Sequence, residues 1–102
     1  MGRVQLIVQK EEIAQFCHRH NIRKLAFFGS VLRQDFQPDS DVDVLVEFEP
    51  GHRVGLIRLA RTERELSELI GRKVDLNTEG FLSPYFREEV LKEAEVQYVA
   101  PQ

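Results

Sequence analysis

Asp41 and Asp43 flank Val42 in the run Asp41-Val42-Asp43-Val44-Leu45-Val46-Glu47-Phe48. Residues i and i+2 of a strand project from one face, so these two carboxylates stand side by side. Two carboxylates that close repel unless a cation or a shared proton lies between them. An all-oxygen pair suits a hard divalent ion, and Mg²⁺ commonly takes one or two carboxylates together with substrate phosphates. Ten residues earlier, Gly29-Ser30 sits where an apolar run, Leu25-Ala26-Phe27-Phe28, gives way to a short helix over Ser30 to Gln34. Glycine there admits a ligand close to the backbone, and helix-start N–H groups favour anionic oxygen. Arg33, three residues beyond Ser30, can face the same anion. Asp75, between Val74 and Leu76, is a third carboxylate inside a short apolar strand, where it is costly to bury unpaired. If the two strands are neighbours, Asp41, Asp43 and Asp75 form a cluster that could hold two Mg²⁺ ions for in-line phosphoryl chemistry.

Other readings of these residues are weaker. Asp39, Asp41 and Asp43 mimic the start of a calcium loop, but Val44 stands where that loop needs glycine and Pro50 where it needs glutamate. Two solvated acids on an edge strand are disfavoured because aspartate is a poor strand former. Gly29-Ser30 alone could be an ordinary turn with a helix cap. Arg33 could form a surface ion pair, and Asp75 could pair with Lys73 or Arg72. Cys17, His18 and His20 lack the common face and fourth ligand of a zinc site, and read as core packing plus surface histidines.

The elements that must position these residues are legible from periodicity. Lys10 to His20 carries Ile13, Phe16, Cys17 and His20 at helical spacing, and Asn21 stops the helix. Lys24 to Phe28 is a buried strand, and Val42 to Phe48 is the clearest strand, its valines alternating with Asp43, Leu45 and Glu47. Leu56 to Ile70 is a long amphipathic helix with Leu56, Leu59, Ala60, Leu66, Leu69 and Ile70 inward, capped by Gly71. The charges from Arg61 to Glu65 form its solvated face. Lys73 to Asn77 is a third strand. Ser83-Pro84 opens a last helix with Phe86, Val90, Leu91 and Ala94 inward; Phe81, Tyr85 and Phe86 read as packing, with an exposed aromatic able to anchor a partner. Strands alternating with helices predict a layered α/β fold.

Composition agrees with one packed domain over residues 1–102. Apolar residues are 42%, charged residues 30%, and net charge is −3. A pI near 5.6 argues against a broad phosphate-gripping surface, so direct nucleic-acid binding is not expected. The single cysteine excludes an intrachain disulfide. No run is long and apolar enough to cross a bilayer and Met1 to Lys10 lacks signal-peptide order, so a cytoplasmic protein is expected.

The pattern Gly29-Ser30, ten residues, Asp41-Val42-Asp43 resembles the signature of the nucleotidyltransferase superfamily that includes polymerase β and kanamycin nucleotidyltransferase. The wider runs Phe28-Gly29-Ser30-Val31-Leu32-Arg33 and Pro38-Asp39-Ser40-Asp41-Val42-Asp43 through Phe48 resemble its minimal, prokaryotic branch. The likeness extends through Val74-Asp75-Leu76 to the closing Glu93-Ala94 to Tyr98, with Gln34 departing from the small residue usual there. The resemblance implies a small mixed sheet flanked by helices, in the polymerase β-like fold. It implies Gly29 and Ser30 at the triphosphate, Asp41 and Asp43 as metal ligands, and Asp75 as the third carboxylate. It also implies Mg²⁺, ATP as substrate, and a role as the antitoxin partner of a HEPN-type toxin, with AMP transferred to a hydroxyl of that partner. Larger members carry a helical second domain for the acceptor, so here a partner protein is expected to supply that half. The rival reading is a non-catalytic antitoxin that neutralises its partner by covering it.

Overall fold

The computed structural model describes residues 9–32, 40–51 and 54–101. Helix α1, Lys10–Arg19, forms because Ile13, Phe16 and Cys17 recur on one side and are buried. Glu11 and Glu12 lie in its first turn and His18 and Arg19 in its last, each complementing the helix dipole, with Lys10 the exception. Asn21 then turns the chain in the left-handed region at φ 58°, and its carbonyl accepts from the Glu49 N–H. Strand β1, Ile22–Phe28, follows at once. Strand β2, Val42–Phe48, alternates buried valines with half-buried Asp43, Leu45 and Glu47 as its sequence predicts.

Helix α2, Leu56–Ile70, is the crossover between β2 and β3, Val74–Thr78, and those two strands pair in parallel. Gly71 closes α2 in the left-handed conformation at φ 79°, its N–H donating to the Ser67 carbonyl. The start of α2 differs from expectation. Leu56 and Ile57 are exposed, and the inward stripe begins at Leu59 and deepens at Thr62 and Leu66. Thr62 can be buried because its hydroxyl donates to the Arg58 carbonyl at 2.8 Å.

Glu63, expected in the solvated face, has a structural task instead. Its Oε2 accepts from the Leu76 N–H at 2.8 Å, while the Ser67 hydroxyl accepts from the Val74 N–H at 3.0 Å. Two amides on the outer side of β3 are thereby satisfied by α2.

Helix α3, Pro84–Glu93, starts as expected: Ser83 caps it by accepting from the Tyr85 N–H, with proline at the first turn. Its predicted inner face is mostly outside. Phe86 and Leu91 are exposed and Val90 alone is buried. The chain then forms an unexpected strand, β4, Glu95–Val99, antiparallel to β1. The sheet order is β3-β2-β1-β4, with β1 and β2 antiparallel.

This mixed sheet is covered unequally. Leu25, Phe27, Val42, Val44, Val46, Val74 and Leu76 pack with Ile13 and Phe16 of α1 and Leu66 of α2 into one core. Alternation sends Ala26, Phe28, Asp43, Leu45 and Asp75 to the opposite face, where α3 lies. Cys17 is wholly buried in the core, and burial pushes its thiol up to about 12, so it is inert packing.

Candidate active site

The sheet register lines up the predicted residues. Phe28 pairs with Asp43 across β1 and β2, and Asp43 pairs with Asp75 across β2 and β3. Directly opposed residues share a face, so both carboxylates rise from the α3 side of the sheet. Gly29, immediately after Phe28, adopts φ +76° in the left-handed region and lies against Asp43. A Cβ at Gly29 would collide with Asp43 Oδ2 and sit 3.1 Å from its Cγ. Only glycine satisfies both the backbone conformation and the close approach.

Gly29 opens a 3₁₀ turn, Gly29–Leu32, that includes Ser30. The turn starts one residue earlier than the predicted short helix and has 3₁₀ geometry through Leu32. Arg33, the third residue expected at the triphosphate, lies outside the described residues.

An open cavity of about 620 Å³ joins these groups to α3. Gly29, Asp43 and Asp75 line one side; Phe86, Glu89, Val90 and Glu93 line the other. Asp41 is exposed one residue ahead of β2, two residues from Asp43, and is not among the lining residues. Among the described residues, no three His, Cys, Asp or Glu side chains converge on one point. Asp43 and Asp75 share the cavity, therefore, and Asp41 stands beside it.

Arg72 and Lys73 tie the start of β3 to the segment entering β2. Arg72 donates to the Ser40 carbonyl at 2.9 Å, and the Lys73 carbonyl accepts from the Val42 N–H at 2.8 Å. These two contacts fix the start of β3 against the segment entering β2, and so set Asp75 beside Asp43.

The donor chemistry fits a hard divalent ion. Asp41, Asp43 and Asp75 offer carboxylate oxygen alone, and among the described residues lining the cavity none is Lys or Arg. A triphosphate entering an acidic cavity needs divalent charge to be neutralised there. Asn77 and Phe86 were not assigned to this site from sequence. Strand alternation from Asp75 places Asn77 on the same face and could have found it. Phe86 was misread because a helical i, i+4 pair with Val90 looks like core.

The profile of the nucleotidyltransferase domain matches residues 10–96, which span every element from α1 into β4. The chain belongs to the nucleotidyltransferase domain family. A protein of Methanocaldococcus jannaschii, whose name proposes a protein adenylyltransferase, is 34% identical over 83% of this nucleotidyltransferase and 89% of its own length. The protein adenylyltransferase MntA of Thermococcus cleftensis is 34% identical over 86% of this chain and 84% of its own. A solved structure described as a proposed minimal nucleotidyltransferase superposes with TM-score 0.68 at 39% identity, covering 91% of this chain and 88% of that one. The fold also matches, with TM-score 0.66 and 16% identity, a structure of a tri-AMPylated Shewanella oneidensis HEPN toxin in complex with an MNT antitoxin, over 89% and 70% of the two chains. The nucleotidyltransferase is thus the polymerase β-like mixed α/β fold that its signature implied. No helix among its described residues is long and apolar enough to cross a membrane.

Proposed function

We propose that this nucleotidyltransferase is a Mg²⁺-dependent protein adenylyltransferase that moves AMP from ATP to a hydroxyl of a HEPN-type toxin, and so acts as its antitoxin. The observation that carries this reading is the cross-sheet row Phe28–Asp43–Asp75, with Gly29 against Asp43, facing one cavity. The names of the relatives support the choice of a protein as acceptor.

In the reaction, the acceptor oxygen attacks the α-phosphorus of ATP. An oxygen–phosphorus bond to the acceptor forms, the bond to the α,β-bridging oxygen breaks, and pyrophosphate leaves. Asp75 orients the acceptor hydroxyl and takes up its proton. Gly29 and Ser30 bring backbone close to the β- and γ-phosphates. Asp41 and Asp43, with Asp75, would hold Mg²⁺, two ions by the chemistry of the donor set. When bound, Mg²⁺ neutralises the triphosphate and eases departure of pyrophosphate. Arg33 would steady the developing charge.

The test is incubation of the purified chain with α-labelled ATP, Mg²⁺ and its toxin partner, followed by intact mass of that partner. The expected result is a mass increase of one or more AMP groups, abolished by Asp41→Asn with Asp43→Asn at unchanged thermal stability. A stably bound but unmodified partner would instead establish neutralisation by covering.

A further inference from the structure

The cavity has two chemically different walls. At the sheet it presents Gly29, Asp43, Asp75 and Asn77 with the ring of Phe28 buried behind them; at α3 it presents an exposed aromatic ring with Glu89 and Glu93. Phe86 is 60% exposed, whereas Val90, one turn further along the same side of α3, is 9% exposed. Phe86 therefore contributes little to the core and holds its ring at the cavity. Both walls carry acids, and it is divalent charge on Asp43 and Asp75, in the reading above, that would draw a triphosphate to the Gly29 turn; Glu89 on α3 offers it no such site. The uncharged end of the nucleotide is left to face α3. A purine is apolar on its faces and polar at its edge; the α3 side offers the Phe86 ring for the face, while Ser83 at the start of α3 and Asn77 on β3 line the same cavity with polar groups for the edge.

We infer that the α3 wall is the nucleoside half of the ATP site and that the base stacks on Phe86. The inference rests on the nucleotidyltransferase reading above and adds to it the residue that grips the base. Tyr85, the neighbouring residue, is 89% exposed and does not line the cavity, so it serves as an internal control.

The experiment is calorimetric titration of the full chain with ATP and Mg²⁺, using wild type, Phe86→Ala, Phe86→Tyr and Tyr85→Ala, each checked for an unchanged melting curve. Loss of one base–aromatic stack predicts roughly 5- to 150-fold weaker ATP binding for Phe86→Ala. Phe86→Tyr keeps the ring face and should stay within about threefold of wild type, and Tyr85→Ala should not change binding. An unaltered dissociation constant in Phe86→Ala, or an equal loss in Tyr85→Ala, overturns the assignment. If Phe86→Ala binds ATP normally while wild type still adenylylates the partner, only the stacking role fails. If wild type neither binds ATP nor transfers AMP, the enzymatic reading fails with it.

Discussion

Replacing Gly29 by alanine separates two costs that coincide at this residue. The first is conformational: at φ +76° a side chain loses about 1–2 kcal/mol relative to glycine. The second is local to the chemistry, because the new Cβ would lie 3.1 Å from Asp43 Cγ. Carbon atoms are best separated by about 3.5–4.0 Å, so the carboxyl group must retreat by roughly 0.5–1 Å. A misplacement near 1 Å at a reacting centre costs on the order of 100-fold in rate. Gly71 supplies the comparison. Its φ is +79°, yet an added Cβ there meets nothing within 4 Å. Both variants should therefore melt lower by a similar margin, about 4–10 °C for a chain of this size. Only Gly29→Ala should lose transfer, by about two orders of magnitude. The assay is the initial rate of labelled AMP incorporation into the partner, beside thermal melts followed by circular dichroism. Near-wild-type transfer by Gly29→Ala, or an equal loss of transfer in Gly71→Ala, would refute the reasoning.

Two further outcomes follow from contacts elsewhere. Glu63→Ala leaves the part-buried Leu76 N–H on the outer side of β3 without its 2.8 Å acceptor, which costs at most about 1–3 kcal/mol. It should also slow transfer by loosening the strand that carries Asp75, and Glu63→Gln, which retains an acceptor oxygen, should restore both; denaturant melts and the labelling rate report the pair. His20 gives a pH dependence. Burial lowers its proton affinity below the ordinary value of 6.5, and Glu65 at 3.5 Å only partly opposes this. The unfolded chain therefore binds more protons than the folded one as pH falls through 6.5, and stability should drop in that direction. Urea melts between pH 7 and pH 5 should show that slope in wild type and a shallower one in His20→Gln; parallel slopes would remove His20 as the cause.

What could be read from sequence was local. The stop at Asn21, the left-handed cap at Gly71 and the Ser83-Pro84 start each depend on the conformation of one or two residues. The alternation of β2 was equally plain, since its valines face one core. The failures share a different cause. Strand β4 is short and carries exposed Val96 and Val99, so its pairing with β1 left little periodicity to detect. The apolar residues of α3 read as core in sequence because spacing alone does not tell a helix face against a cavity from one against a sheet. Glu63 was placed in solvent because its acceptor role depends on where β3 runs. At the site, the kinds of residue were visible at 29, 41, 43 and 75. That Asp43 faces Asp75, with Asp41 beside the cavity, depends on strand register, which no short window encodes.

The fastening of β3 to α2 also shapes how this molecule can associate. An outermost strand ordinarily offers unmet backbone donors as a template on which another chain can lay itself. Here Glu63 and Ser67 already occupy donors at Leu76 and Val74, so that border resists extension into a larger sheet. Strand-to-strand self-assembly is thereby steered away from the margin bearing Asp75, and the mouth of the cavity stays open to solutes.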